Sequence, residues 1–407
     1  MSIATATQRA PGARLFLMIG ALYFSQGIPL GVAMEALPTL LRRDGADLHA
    51  LAWLPLVGLP WVLKFLWSPV IDNRWRPALG RRRSWILPMQ GVVLACLLAL
   101  AALGVSAAGA GAVVALMALA SLASATQDIA TDGLVAERFE GQALARANAL
   151  QIGGTMVGFF FGGPGCLMLA GHVGQPAALG ALAAVVAASL LLAAGWREPP
   201  AVSDARRPRA SLAGFARRPG AWALAGAALL SAMTAVAGYG LAKLYLVDAG
   251  WAVEDVGRVG MAGGVVTVLI GCGGGAWLIG RLGARAALAM GLSASGLAAL
   301  AWAAQAQGWI AAGPGPAYVA QALGSFGAGA ASVALMTLAM RFARRGEQAG
   351  TDMTAVQSSR DLGEILTSSL ITVLAAQLGY AGGFACGLLV AVATLLYASR
   401  ALRRVQG

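Results

Sequence analysis

The stretch Lys64-Phe-Leu-Trp-Ser-Pro-Val-Ile-Asp72, continued by Gly80-Arg81-Arg82-Arg83, puts a lysine inside an apolar run and three arginines on the short loop that follows it. A charged side chain in hydrocarbon is costly unless it faces a cavity or a partner. An arginine cluster beside an apolar span marks the cytoplasmic side of a membrane. The rest of the chain is of the same kind. Of its 407 residues 58% are hydrophobic and only 11% charged, against about 25% charged in soluble domains, and the mean hydropathy is +0.73. This predicts an all-α, polytopic membrane protein. The net charge of +12 does not indicate nucleic acid, because the basic residues sit at the ends of apolar stretches.

At about 20 apolar residues per span, the sequence predicts twelve: 15–41, 50–71, 85–107, 110–136, 144–171, 174–195, 220–247, 253–279, 286–307, 315–342, 352–378 and 380–402. Most of the 29 basic residues fall on one side of these spans: Arg9, Arg14, the five between spans 2 and 3, Arg138, Arg146, the linker arginines, Arg281, Arg285 and the arginines from Arg341 onward outside span 11. Arg42, Arg43 and Arg258 fall on the other, and Lys64, Lys243 and Arg360 lie within spans. The bias predicts both termini in the cytoplasm. No cleavable signal peptide is expected, since the first apolar run is span-length and lacks a small-residue cleavage site.

The longest polar stretch falls midway, so residues 1–195 and 220–407 read as two six-helix halves and 196–219 as a cytoplasmic linker. A weak repeat agrees. Arg138-Phe139 ends span 4 and Arg341-Phe342 ends span 10, and Gln151 is echoed by Gln357. Parallel six-helix halves are the layout of the major facilitator transporters.

The loop Asp72…Gly80-Arg81-Arg82-Arg83 resembles the signature of that superfamily between spans 2 and 3; its second-half counterpart, Gly280 to Arg285, lacks the acid. More narrowly, Lys64 to Pro69, Ser25-Gln-Gly-Ile-Pro-Leu30 and Gln127-Asp128 resemble the muropeptide permease branch. Gln26-Gly-Ile-Pro29 with Glu35, Leu54-Pro-Leu-Val-Gly58 and Arg83-Ser-Trp-Ile-Leu-Pro88 resemble its siderophore permeases for ferripyochelin and rhizobactin, as does the compact twelve-span count. The resemblance implies an inner-membrane importer of an iron-loaded siderophore, acting as a monomer, with an outer-membrane receptor acting separately. Anhydro-muropeptides, or another sugar, peptide or acyl conjugate, are the alternative cargo.

In such a fold spans 1, 4, 7 and 10 line the cavity, and 2, 5, 8 and 11 flank it. Glu35 is then a substrate contact or proton carrier, or a carboxyl near the headgroups. Asp128 and Asp132 share one face of span 4, as protonatable carboxylates for coupling, or with Asp132 paired to Arg138 or Arg146. Tyr239, Lys243 and Trp61 are candidate ligand contacts, with an interfacial belt as the bland reading. Gln26 and Gln127 are contacts or interhelical ties. For gating, Lys64 is expected to pair with Asp361 or Glu364 of span 11, unless Arg360 takes Glu364 within its own helix. Asp72 and Arg81 form a second latch, with Asp72 at the positive end of span 11; Arg82 and Arg83 set topology.

No Gly-x-x-x-x-Gly-Lys-Ser/Thr phosphate loop is present, so the proton gradient is the expected drive. The two histidines, His49 and His172, lie at loop edges and the four cysteines in four separate spans. This argues against an intramembrane enzyme, a metal site or a disulfide framework. No cofactor is expected beyond iron within a transported chelate, and the remaining partners are membrane lipids.

Overall fold

The computed structural model describes residues 12–37, 40–41, 44, 57–106, 108–198, 209–239, 241–251 and 253–402. Its helices are α1 (Ala13–Ala36), α2 (Leu59–Leu63, a 3-10 turn Lys64–Leu66, and Ser68–Asn73), α3 (Arg83–Leu103), α4 (Ala110–Arg138), α5 (Gly141–Val173) and α6 (Gln175–Gly195). After a short linker helix, Leu212–Arg217, come α7 (Ala221–Tyr239, then Ala242–Asp248), α8 (253–282), α9 (Ala284–Ala306), α10 (Pro314–Arg344), α11 (349–378) and α12 (380–401). Among the described residues nine helices are long and apolar enough to cross a membrane, and Ala221–Ala237 is a shorter apolar one. α11 is not among the nine; it carries Asp352, Arg360, Asp361 and Glu364.

Local chemistry sets the breaks. Pro69 has no N–H and its ring clashes with the carbonyl four residues back. The predicted continuous span 2 is therefore interrupted after Leu63, and the Ser68 hydroxyl donates to the freed Phe65 carbonyl at 3.0 Å. Gly379 stands at φ 72°, which L side chains avoid, and separates α11 from α12 where the sequence predicted a boundary. α1 carries Pro29 and a π turn at Val32–Ala36, packed on a π turn of α5 at Phe161–Gly165. These two helices meet backbone to backbone: a Cβ on Gly158 would lie 1.9 Å from the Phe24 carbonyl oxygen.

α1 packs on α5, α3 on α4 and α6, α7 on α11–α12, and α9 on α10. Between the two groups, α2 and α4 meet α11, and α5 meets α8 and α10. Apolar burial divides by end. At the arginine-rich end one cluster runs through both groups, from Ile19 and Phe139 to Leu335 and Met353. At the other end the clusters are separate: Val32, Leu97 and Leu182 in the first half, Trp302, Leu246 and Phe384 in the second. The space between the halves is thus closed at the arginine-rich end.

Candidate functional site

A cavity of about 700 Å³ lies between the halves, with walls from α1, α2, α4, α5, α7, α8, α10 and α11. Its first-half wall carries Met34, Trp61, Met156 and Phe160; its second-half wall is small and polar, with Gly260, Gly263, Gln321 and Ser325.

Its floor is a buried charged network. Lys64 ion-pairs with Asp128 and donates to the Gln357 carbonyl oxygen. Gln26 Nε2 donates to the other Asp128 oxygen at 2.7 Å. One turn deeper, Asp132 accepts from Tyr23 OH at 2.8 Å, Gln151 Nε2 at 2.6 Å and Gln357 Nε2 at 2.5 Å. Lys64 and Asp128 are each 2% exposed and Asp132 is 0% exposed. An ionised carboxylate only accepts, so all three glutamines turn their N–H₂ toward the acids, and the Gln26 and Gln151 carbonyl oxygens stay buried without a partner. The network holds one cation against two carboxylates, and Gln357 is its member from the second half. The Trp61 ring lies 5.2 Å from Lys64 Nζ.

Below the cavity a second set of charges closes the arginine-rich end. The Asp72 carboxylate accepts the N–H groups of Gly350 (3.3 Å) and Thr351 (2.7 Å) in the first turn of α11. There the unpaired N–H groups and the helix dipole favour an anion. Arg82 Nη1 lies 2.7 Å from Asp72 and Nη2 2.6 Å from Glu137. Arg81 grips the Asp72 backbone carbonyl at 3.0 and 3.1 Å and also donates to the Glu347 carbonyl at 2.9 Å. Gly133 of α4 makes room for this: a Cβ there would lie 2.3 Å from Arg82 Cζ. Burial opposes the Arg82 charge, but the adjoining Glu137 and Asp72 carboxylates outweigh it and raise its pKa. Burial also raises the pKa of Glu198, against the backbone N–H groups of Arg83 and Arg82 that hydrogen-bond it.

Several expectations change. Lys64 pairs with Asp128 rather than with Asp361 or Glu364, because α4 presents a carboxylate directly across from it. Arg360 takes Glu364 within α11, Nη2 to Oε1 at 2.5 Å, and these two with Asp361 line the cavity wall. Asp132 turns to glutamines and Tyr23 and not to Arg138 or Arg146. Glu35 is exposed beside Gly163 of α5 and is not a cavity residue. Gln127 donates to the Leu22 carbonyl of α1 at 3.3 Å, as a tie between helices. Arg82 is wholly buried in the latch and does more than set topology. Arg83 is held by Glu198 at its N–H and by the Ala194 carbonyl. Asp72, Arg81, Gln26, Asp128 and Trp61 stand in the latch or cavity as described. The side chains of Tyr239 and Lys243, and the stretch Leu54 to Leu56, lie outside the described residues. The sequence reading missed Tyr23, Gln151, Glu137 and Glu198, and assigned Gln357 no site role. The echo of Gln151 in Gln357 was the available signal, since both donate to the same carboxylate.

A family model described as acetyl-coenzyme A transporter 1 matches residues 14–171. An uncharacterised membrane protein of Saccharomyces cerevisiae is 32% identical over 167 residues, 36% of this chain and 30% of that protein. The anhydromuropeptide permease of Escherichia coli strain K12 is 29% identical over 162 residues, 39% of this chain and 32% of that protein. The matched stretch is thus about a third of the length of these relatives. The solved structure of the major facilitator transporter FucP in its outward conformation aligns at TM-score 0.73 and 15% identity, over 95% of this chain and 98% of that one. A bacterial homologue of the iron transporter ferroportin, in its outward-facing state, aligns at TM-score 0.72 and 17% identity, over 97% and 100%. The fold is that of the major facilitator transporters, in a multi-pass membrane protein. The family model and the structural neighbours are transporters, not enzymes.

Proposed function

We propose that this protein is a proton-driven permease for an amphipathic sugar, peptide or acyl conjugate of the anhydromuropeptide kind. It imports its cargo across the bacterial inner membrane by alternating access. Twelve spans in two halves, 1–195 and 220–407, rock about the cavity, with the linker 196–219 and both termini on the cytoplasmic, arginine-rich side. The observation that carries the reading is the 700 Å³ cavity between the halves, floored by the Lys64–Asp128 pair and closed beneath it. One wall offers Trp61, Phe160 and methionines for apolar and ring surfaces, and the other offers Gln321 and Ser325 for hydrogen bonds. The anhydromuropeptide permease among the relatives and the transporter family model support this cargo class over the siderophore reading. Iron-loaded siderophores rest on the first-half motifs and the compact span count.

The coupling follows from charge. One lysine and two carboxylates leave a net negative charge in low dielectric, where an unbalanced ion is costly. A proton on either acid brings the set to neutrality. Gln357 bonds Lys64 of α2 and Asp132 of α4 from α11, so opening of the arginine-rich end breaks that bridge and exposes the acids for proton release. Proteoliposomes with an acidic exterior test the reading. Labelled anhydromuropeptide should accumulate saturably, collapse when the gradient is dissipated, and not accumulate with Asp128→Asn. Accumulation of a ferric siderophore without any of anhydromuropeptide would replace this reading with the siderophore one.

A further inference from the structure

The α5–α8 seam carries a feature that the transport reading does not use. A groove of about 660 Å³ runs between α1, α5 and α8, walled by Phe16, Phe24, Leu150, Val157 and Val268. Among the described residues lining it, Arg146 is the charged one, and it is exposed in the second turn of α5. Arg14 in the first turn of α1 and Arg281 in the last turn of α8 belong to the same end of the molecule. Arg146 and Val157 are eleven residues apart on α5, about 16 Å of helix. One leaflet of hydrocarbon is about 15 Å deep, half of a core of about 30 Å. The groove is therefore about as long as one leaflet is deep.

We propose that this groove is a binding site for an anionic phospholipid. The headgroup phosphate sits on the Arg146 guanidinium, whose planar donor fork suits phosphate oxygens. One acyl chain lies against Leu150, Val157 and Val268. Three observations choose the occupant: the walls come from three helices of membrane-spanning length, the charge is positive, and the length matches one leaflet. Basic pockets between membrane helices are where anionic headgroups are recognised. The lipid touches both halves at once, α1 and α5 of the first and α8 of the second, so it bears on the seam that must flex in alternating access.

The test is native mass spectrometry of the full chain, purified in detergent with equal phosphatidylglycerol and phosphatidylethanolamine. Wild type should retain phosphatidylglycerol preferentially. Arg146→Gln should lower that retention about fivefold, the effect of one basic residue near an anionic surface, while Arg146→Lys should keep most of it. A Cβ on Gly273, which lines the groove, meets nothing within 4 Å, so Gly273→Phe should fill the groove without moving backbone and lower retention of both lipids. Equal retention of the two lipids by wild type overturns the proposal, as does an unchanged preference in Arg146→Gln. Displacement of the lipid by inorganic phosphate assigns the arginine to a free anion instead. None of these readouts depends on transport, so the cargo reading stands or falls separately.

Discussion

The two seams that join the halves of this molecule are built from opposite chemistry. At the α2–α11 seam Lys64, Asp72, Arg81 and Arg82 of the first half meet Gln357, Gly350, Thr351 and the Glu347 carbonyl of the second, all in or beside buried ion pairs. At the α5–α8 seam the contacts are glycine, apolar surface and a few neutral bonds, such as Gln142 Nε2 to the Ala276 carbonyl at 3.0 Å. The counterpart of the arginine loop, Gly280 to Arg285, has no acid; Arg281 lies over the Trp277 ring and Arg285 donates to the Leu402 carbonyl. A duplicated fold offers two similar seams, and this chain has put its buried ion pairs into one; the pair between the halves at the start of α5, Arg344 with Glu140, lies at the surface. The charged seam is suited to break in discrete steps, because a buried ion pair is either made or leaves an uncompensated charge. The apolar seam is suited to slide.

Removing the charge at the centre of the first seam should have the largest effect. Lys64→Met leaves Asp128 buried without its cation and should cost about 3–5 kcal/mol, read as a lower thermal unfolding temperature in detergent. The double variant Lys64→Met/Asp128→Leu should recover most of that stability. Equal stability of the single and double variants would show that the pair is not held buried in solution. A smaller effect is expected at the latch. Asp72→Asn keeps the shape but weakens the bonds to Arg82 and to the α11 N–H groups by about 2 kcal/mol. That corresponds to a shift of about thirtyfold toward the form open at the arginine-rich end. A cysteine at Ser332 on the cavity wall, in a background without the four native cysteines, would report it as faster labelling from that end. The smallest effect belongs to the other seam. Gln142→Ala removes one neutral hydrogen bond, worth about 1 kcal/mol, and should shift cavity labelling by about fivefold at most. If Gln142→Ala shifted labelling as much as Asp72→Asn, the contrast between the seams would not hold.

Much of the latch was legible in the sequence because its parts are local. Asp72 and the arginines lie on one short loop, and an acid at the end of span 2 has a helix N-terminus as its natural partner. The partner of Lys64 was not legible. Asp128 of α4 and Asp361 of α11 both line the cavity with the lysine, and only the packing of the helices makes Asp128 its ion-pair partner. Glu137, the other acid on Arg82, reads in sequence as one more solvated charge at a helix end; its role depends on Gly133 clearing space for the guanidinium. For Glu35 the sequence left a cavity role and a place near the headgroups open; it is exposed beside Gly163 of α5, outside the cavity lining.

By itself the sequence determined the solvent, the gathering of the basic residues at one end and the helical boundary at Gly379, because apolar length, positive charge and backbone restriction act along the chain. The tertiary structure alone decided which buried acid meets Lys64, that two repeat-related glutamines converge on Asp132, that the cavity is closed at the arginine-rich end, and that one seam is charged while the other is apolar. Those outcomes depend on the distances between helices far apart in sequence, and burial turns small differences in distance into large differences in electrostatic energy.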